Sequence, residues 1–109
     1  QDEIEGIICI AYTNDVPSSV KELDLMSQNA HFKKDADTAI AYTVWSRKRG
    51  AGKEIIGKVG EMMRQNPDIS KLVTLSPLTP MATHFHIRNG AKQIGINNTT
   101  QNFEYKVSE

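Results

Sequence analysis

Only one cysteine, Cys9, occurs in the chain, so no disulfide can close within it. That excludes the cross-linked scaffold of many small secreted domains and favours a reducing compartment, with Cys9 as a buried, inert thiol in an apolar run. Excess charge of either sign is also missing, because 13 Lys and Arg balance 13 Asp and Glu. A general nucleic-acid binder carries a surplus of base, and this chain has none. No apolar stretch approaches the ~20 residues needed to cross a bilayer. No secretory leader pattern is present either, so a cytoplasmic protein without a membrane partner is expected. Repeats, low-complexity tracts and interdomain linkers are absent. The 109 residues are therefore read as one domain, 1–109, with one modest core.

Against this neutral background, Arg47-Lys48-Arg49-Gly50-Ala51-Gly52 stands out as a basic, glycine-containing loop. An apolar segment, Thr38 to Trp45, precedes it. After it, Ile55, Ile56, Val59, Met62 and Met63 recur at helical spacing. The pattern predicts a buried strand, a basic turn and an amphipathic helix ending near Gln65, before Asn66-Pro67. A helix N-terminus presents unpaired N–H groups and the positive end of its dipole. Glycine permits close approach to the main chain. Arg47, Lys48, Arg49 and Lys53 add charge at the same point, so the expected guest is a phosphate or pyrophosphate. The loop is not a P-loop, since Glu54 follows Gly52-Lys53 where Ser or Thr is required. Nor is it a dinucleotide fingerprint, because Ile55 stands where the last glycine belongs.

Ile4 to Tyr12 reads as a strand. A helix should follow, with Pro17 near its first position, Ser19 and Glu22 as a capping pair, and an end by Asn29. His31 to Asp37 reads as a surface loop. Leu72 to Leu75 is the next strand, and Ser76 lies at its carboxyl end, held extended by Pro77. Ligands of open α/β sheets collect at such ends. Thr79 and Pro80 should start another helix, which stops at Asn89-Gly90. Lys92–Ile96 and Asn102–Val107 should form a final pair of strands, joined by a turn at Asn97–Thr100. The alternation predicts an α/β domain with a mixed central sheet.

Ser76, His84, His86 and Tyr105 are the remaining side chains with chemistry to offer. By themselves they fit either ordinary structural positions or a site, and spacing does not choose between them. A metal centre at His84-Phe85-His86 is not expected. Residues two apart on a helix point in different directions, and no second ligand cluster accompanies them.

Two resemblances sharpen this. Arg47, Gly50 and Gly52 resemble the R/Q-x-x-G-x-G/A loop of the GNAT superfamily of N-acetyltransferases, which holds the pyrophosphate of coenzyme A. Several further segments are similar, in order, to the catalytic domain of malonyl-CoA decarboxylases. Val16–Leu23 resembles I-P-S-S-I-Q-E-L, and Asp37–Tyr42 resembles A-D-T-A-I-F-Y. Thr74–Pro77 matches T-L-S-P, Phe85–Ala91 resembles F-H-L-R-N-G-A, and Asn102–Tyr105 resembles N-Y-R-Y.

The resemblance implies a GNAT-like three-layer domain in a compact form, without the family's helical domain and truncated at the N-terminus. It implies acyl-CoA or CoA as ligand, with Trp45, Arg47, Arg49, Gly50, Ala51, Gly52 and Lys53 at the binding loop. Ser76, His86 and Tyr105 correspond to the family's catalytic serine, histidine and tyrosine. The implied reaction is decarboxylation of a malonyl-type thioester to acetyl-CoA and CO2, with no cofactor beyond the coenzyme A of the substrate. Alternatives are an N-acetyltransferase using acetyl-CoA and a non-catalytic acyl-CoA-binding module. Fewer elements before the first strand would leave a sheet edge or face under-covered, so a homodimer is expected.

If the glycine loop holds the pyrophosphate, a β-branched side chain at Gly50 blocks approach to the main chain. Calorimetry should then show coenzyme A affinity lost in Gly50→Val. Equal affinity in the two proteins refutes the loop assignment.

Overall fold

The computed structural model describes residues 6–46 and 51–107, with side chains described except at 6, 7, 43–46, 51 and 52. In chain order the elements are β1 (Gly6–Thr13), α1 (Val20–Lys33), β2 (Thr38–Ser46), α2 (Ala51–Arg64), β3 (Lys71–Thr74), β4 (Ser76–Pro77), α3 (Pro80–Arg88), β5 (Lys92–Ile96) and β6 (Thr100–Tyr105).

Neighbouring residues on a strand face opposite sides of the sheet, and β2 uses this to divide the core. Ala39 joins Leu72, Phe103 and Tyr105 beneath Ile56, Val59 and Met63 of α2. Ile40 joins Val73 and Leu75 beneath Leu23 of α1. The two helices therefore cover opposite faces. Phe85 of α3 packs on the α2 side. The result is the expected three-layer α/β arrangement.

The strand order is β1-β2-β3-β6-β4, with β5 also on β6. Gln101 of β6 pairs with Ser76 on one side and with Ile96 on the other, so β5 lies across β6 from β3 and β4. The β2–β3 pairing is parallel and the others are antiparallel, which makes the sheet mixed.

Two irregularities shape one end of this sheet. Cys9 pairs with Thr43 and Ile10 with Ala41, leaving Tyr42 as an extra residue on β2. Such a bulge bends the strand that carries it. The pairing of β2 with β3 ends at the same level. Its last contacts are the Ala41–Thr74 pair and the Leu75 N–H donating to the Ala41 carbonyl at 2.9 Å. Beyond this point β2 continues to Ser46 along β1, while Ser76-Pro77 pairs with β6. The carboxyl ends of two parallel strands therefore part.

The second irregularity is the interruption between β3 and β4. Leu72 faces Tyr105 before it and Ser76 faces Gln101 after it, in unchanged register. Side chains substitute for the ladder in between. The Phe103 N–H donates to Thr74 Oγ1 at 3.1 Å, and Asn102 Nδ2 donates to the Thr74 carbonyl at 3.0 Å. Asn102 Nδ2 also donates to the Pro17 carbonyl at 2.9 Å, tying the approach to α1 onto the sheet.

Several expected boundaries move. Instead of ending by Asn29, α1 continues to Lys33, taking up part of the predicted loop. Nothing in Asn29–Lys33 breaks a helix, and Ala30 is buried. The stop comes where Lys34 adopts the left-handed conformation and its N–H caps the Ala30 carbonyl. Pro17 is not at the first helical position, for it lies buried ahead of the Ser19 cap. Met62 is exposed, because Ile56, Val59 and Met63 already fill the buried stripe of α2. The last strand spans Thr100–Tyr105, two residues earlier than expected at each end. Among the described residues, no helix is long and apolar enough to cross a membrane.

Asn102→Ala would leave the buried carbonyls of Pro17 and Thr74 without their side-chain donor. A buried acceptor left in this way costs about 1–3 kcal/mol. Urea unfolding should show a loss of that size.

Candidate functional site

The site is built on β4, α3 and β6. Pro77 removes a donor from β4, and Thr79 caps the helix that follows, its hydroxyl accepting from the Ala82 N–H at 3.2 Å. Pro80 suits the first helical position. The helix ends at Asn89, and Gly90 supplies the positive φ of 96° that the turn requires. His86 is the residue of α3 that this geometry buries. His84 remains exposed.

His86 lies over the Phe103 ring, with centroids 5.0 Å apart and planes tilted by 31°. Both imidazole nitrogens have partners. Nε2 is 3.1 Å from Ser76 Oγ, and Nδ1 is 2.6 Å from the Tyr105 phenol oxygen. Ser76 Oγ also donates to Thr74 Oγ1 at 2.9 Å. Strand alternation explains why these groups converge. Thr74 and Ser76 lie two apart along β3–β4, and Phe103 and Tyr105 lie two apart along β6, so each pair shares a face. Ser76, His86 and Tyr105 are 4, 3 and 7% exposed, while Thr74 is fully buried.

Burial fixes the charge state. It lowers the His86 pKa from 6.5 to about 4, because the charged imidazolium is poorly solvated there. Burial likewise pushes the Tyr105 phenol above its ordinary value of 10.0. At neutral pH the whole line is therefore uncharged. Its members can exchange hydrogen bonds with no buried ion present. Among the described buried side-chain polar atoms, none lacks a partner.

The three residues expected to act together, Ser76, His86 and Tyr105, thus form one hydrogen-bonded group. The expected phosphate-binding loop is a different case. Arg47, Arg49 and Gly50 lie outside the described residues. Trp45 belongs to β2, and Ala51 and Gly52 open α2, with only their backbones described. Lys53 is exposed in the first turn of α2. In the chain, residues 47–50 follow the end of β2 and precede the first residue of α2.

Sequence reasoning did not single out Thr74, Phe103 or Gln101. Thr74 and Phe103 sit inside the T-L-S-P and N-F-E-Y segments, so the signal for them was on hand. Gln101 lies outside those segments. It is fully buried, with Nε2 donating to the Pro77 carbonyl at 2.9 Å and to Thr83 Oγ1 at 2.8 Å. Its side chain fixes α3 relative to β4.

No described protein family matches the sequence, and no curated protein does. The crystal structure of the loading GNATL domain of CurA from Lyngbya majuscula does match in three dimensions, with a TM-score of 0.78 at 13% identity. The superposition covers 98% of this chain and 73% of that one. The fold is GNAT-like. Identity this low establishes the architecture and leaves the chemistry to be argued from the residues. In this GNAT-like fold, the Ser76–His86–Tyr105 group lies on the face shared by α2 and α3.

The His86 shift has a consequence for stability. Between pH 6.5 and about 4 the unfolded chain holds more protons than the folded one. The contribution of neutral His86 is therefore complete above pH 6.5 and is lost as pH falls toward 4. Urea midpoints measured from pH 7 to 4 should fall across that window, and His86→Gln should flatten the decline. An unchanged slope in His86→Gln would assign the acid sensitivity to other groups.

Proposed function

We propose that the domain binds an acyl-CoA thioester and decarboxylates a malonyl-type substrate, using Ser76, His86 and Tyr105. The observation that carries this reading is the buried Tyr105–His86–Ser76 line of hydrogen bonds, uncharged at neutral pH. In this reaction the bond between the α-carbon and the carboxylate breaks. Its electron pair moves into the thioester as an enolate, carbon dioxide leaves, and the α-carbon takes up a proton. An enolate oxygen needs hydrogen-bond donors directed at the charge as it develops. Ser76 and His86 supply the donor and the proton path, and Tyr105 orients the imidazole. The glycine loop, following the diverging end of β2, is the proposed anchor for the pyrophosphate.

A histidine with a pKa of about 4 suits a neutral donor better than a base. An N-acetyltransferase needs a group to take a proton from an ammonium ion, and the burial that lowers the His86 pKa works against that role. The acyltransferase reading draws its support from the likeness to a GNATL domain, which is 13% identical to this chain. It would require an acceptor and a base elsewhere.

Malonyl-CoA supplied without metal or organic cofactor should yield acetyl-CoA and carbon dioxide. His86→Ala should lower turnover by roughly 10²–10⁴-fold, the usual reach of a positioned acid or base. Ser76→Ala should also be impaired, while coenzyme A binding survives in both. Release of free thiol from acetyl-CoA only when an amine is present would replace this reading with acyl transfer. Coenzyme A binding with neither reaction would leave a binding module.

A further inference from the structure

The line of hydrogen bonds does not end at Ser76. It continues to Thr74 Oγ1, which also receives the backbone N–H of Phe103. A backbone N–H only donates, so one lone pair of that hydroxyl is permanently occupied. The two ends of the line differ chemically. Tyr105 is a phenol, a far stronger acid than an aliphatic hydroxyl, and its 2.6 Å contact with Nδ1 fits donation to nitrogen. Thr74 is aliphatic and acts as an acceptor at its end, in the gap between β3 and β4.

We infer that Thr74 is a positioning residue that sets the direction of the proton line, and through it the tautomer of His86. With the Ser76 proton directed at Thr74, Ser76 Oγ is left to accept, and His86 presents Nε2–H to it. Nδ1 then carries the lone pair and accepts from Tyr105. Tyr105, His86 and Ser76, on two strands and a helix, point their protons one way, toward Thr74. In the opposite arrangement Ser76 would donate to Nε2, making it a base-activated nucleophile of the kind that forms acyl-enzymes. Thr74 keeps the Ser76 proton off Nε2 and so suppresses the nucleophilic arrangement.

This deepens the proposed reading of the same site, since a decarboxylase forms no acyl-enzyme and has no use for a base-activated Ser76. Its foundation is geometric, however, and its test reads a tautomer and not turnover, so either conclusion can fail without the other.

The test is nitrogen-15 NMR of the imidazole in the full chain at neutral pH. Wild type should show His86 as the neutral Nε2–H form. Thr74→Ser keeps the hydroxyl and should preserve it. Thr74→Val leaves Ser76 with Nε2 as its remaining acceptor, and the signal should shift to the Nδ1–H form. Tyr105→Phe removes the donor at the other end, and Thr74 should still hold the Nε2–H form. A neutral Nδ1–H form in wild type overturns the inference even if Thr74→Val does not fold. An unchanged tautomer in folded Thr74→Val does the same, as does reversal in Tyr105→Phe, which would place control at the phenol.

Discussion

A neutral histidine held against Phe103 is the constraint around which this domain is arranged. An imidazole taken out of water must be uncharged and must find partners for both nitrogens. Leaving one of them unmatched would cost about 1–3 kcal/mol. Ser76 and Tyr105 meet this demand from different strands, and neither is near His86 in sequence. Their positions depend on the register of β4 and β3 against β6, because a slip of one residue would turn Tyr105 to the face opposite Ser76.

That register survives an interruption in the ladder. Between β3 and β4 the backbone pairing is replaced by Thr74 Oγ1 and Asn102 Nδ2. The same asparagine reaches the Pro17 carbonyl, so the approach to α1 is tied to the end of β3, just before Ser76. On the opposite face, Gln101 connects β4 with α3 and thereby fixes the height of His86. Two buried amides, Asn102 and Gln101, thus link the three layers at the level of the site. Next to it, the Tyr42 bulge and the end of the β2–β3 pairing open the sheet where β2 runs on to Ser46.

Much of the fold was readable from local patterns. Thr79-Pro80 and Asn89-Gly90 bracket α3 because capping and positive φ depend on residues near in sequence. Ser19 and Glu22 gave the start of α1 for the same reason, with the Ser18 N–H bonded to Glu22 Oε1 at 2.8 Å. Its end was not readable, since Lys33 carries no stop signal and the burial of Ala30 is a tertiary matter. Pro17 looked like a helix starter by type, yet it serves as a buried contact for Asn102. The bulge at Tyr42 left no trace, for it falls in a continuous run of strand-forming residues with no glycine to mark it.

Ser76, His86 and Tyr105 were recognisable individually, through the segments that contain them and through residue types able to move protons. The chain by itself determined those types, the alternation that turns Ser76 and Tyr105 to one side of their strands, and the helix that carries His86. It also set a basic glycine loop between an apolar strand and an amphipathic helix. Only the tertiary structure decided that the three side chains meet, that Thr74 completes their line, and that the histidine stays neutral. The physical reason is range. Caps, turns and alternation are set by atoms a few residues apart, whereas a hydrogen bond between residues 76 and 86, or a pKa lowered by burial, exists only after distant segments have packed and water has been excluded.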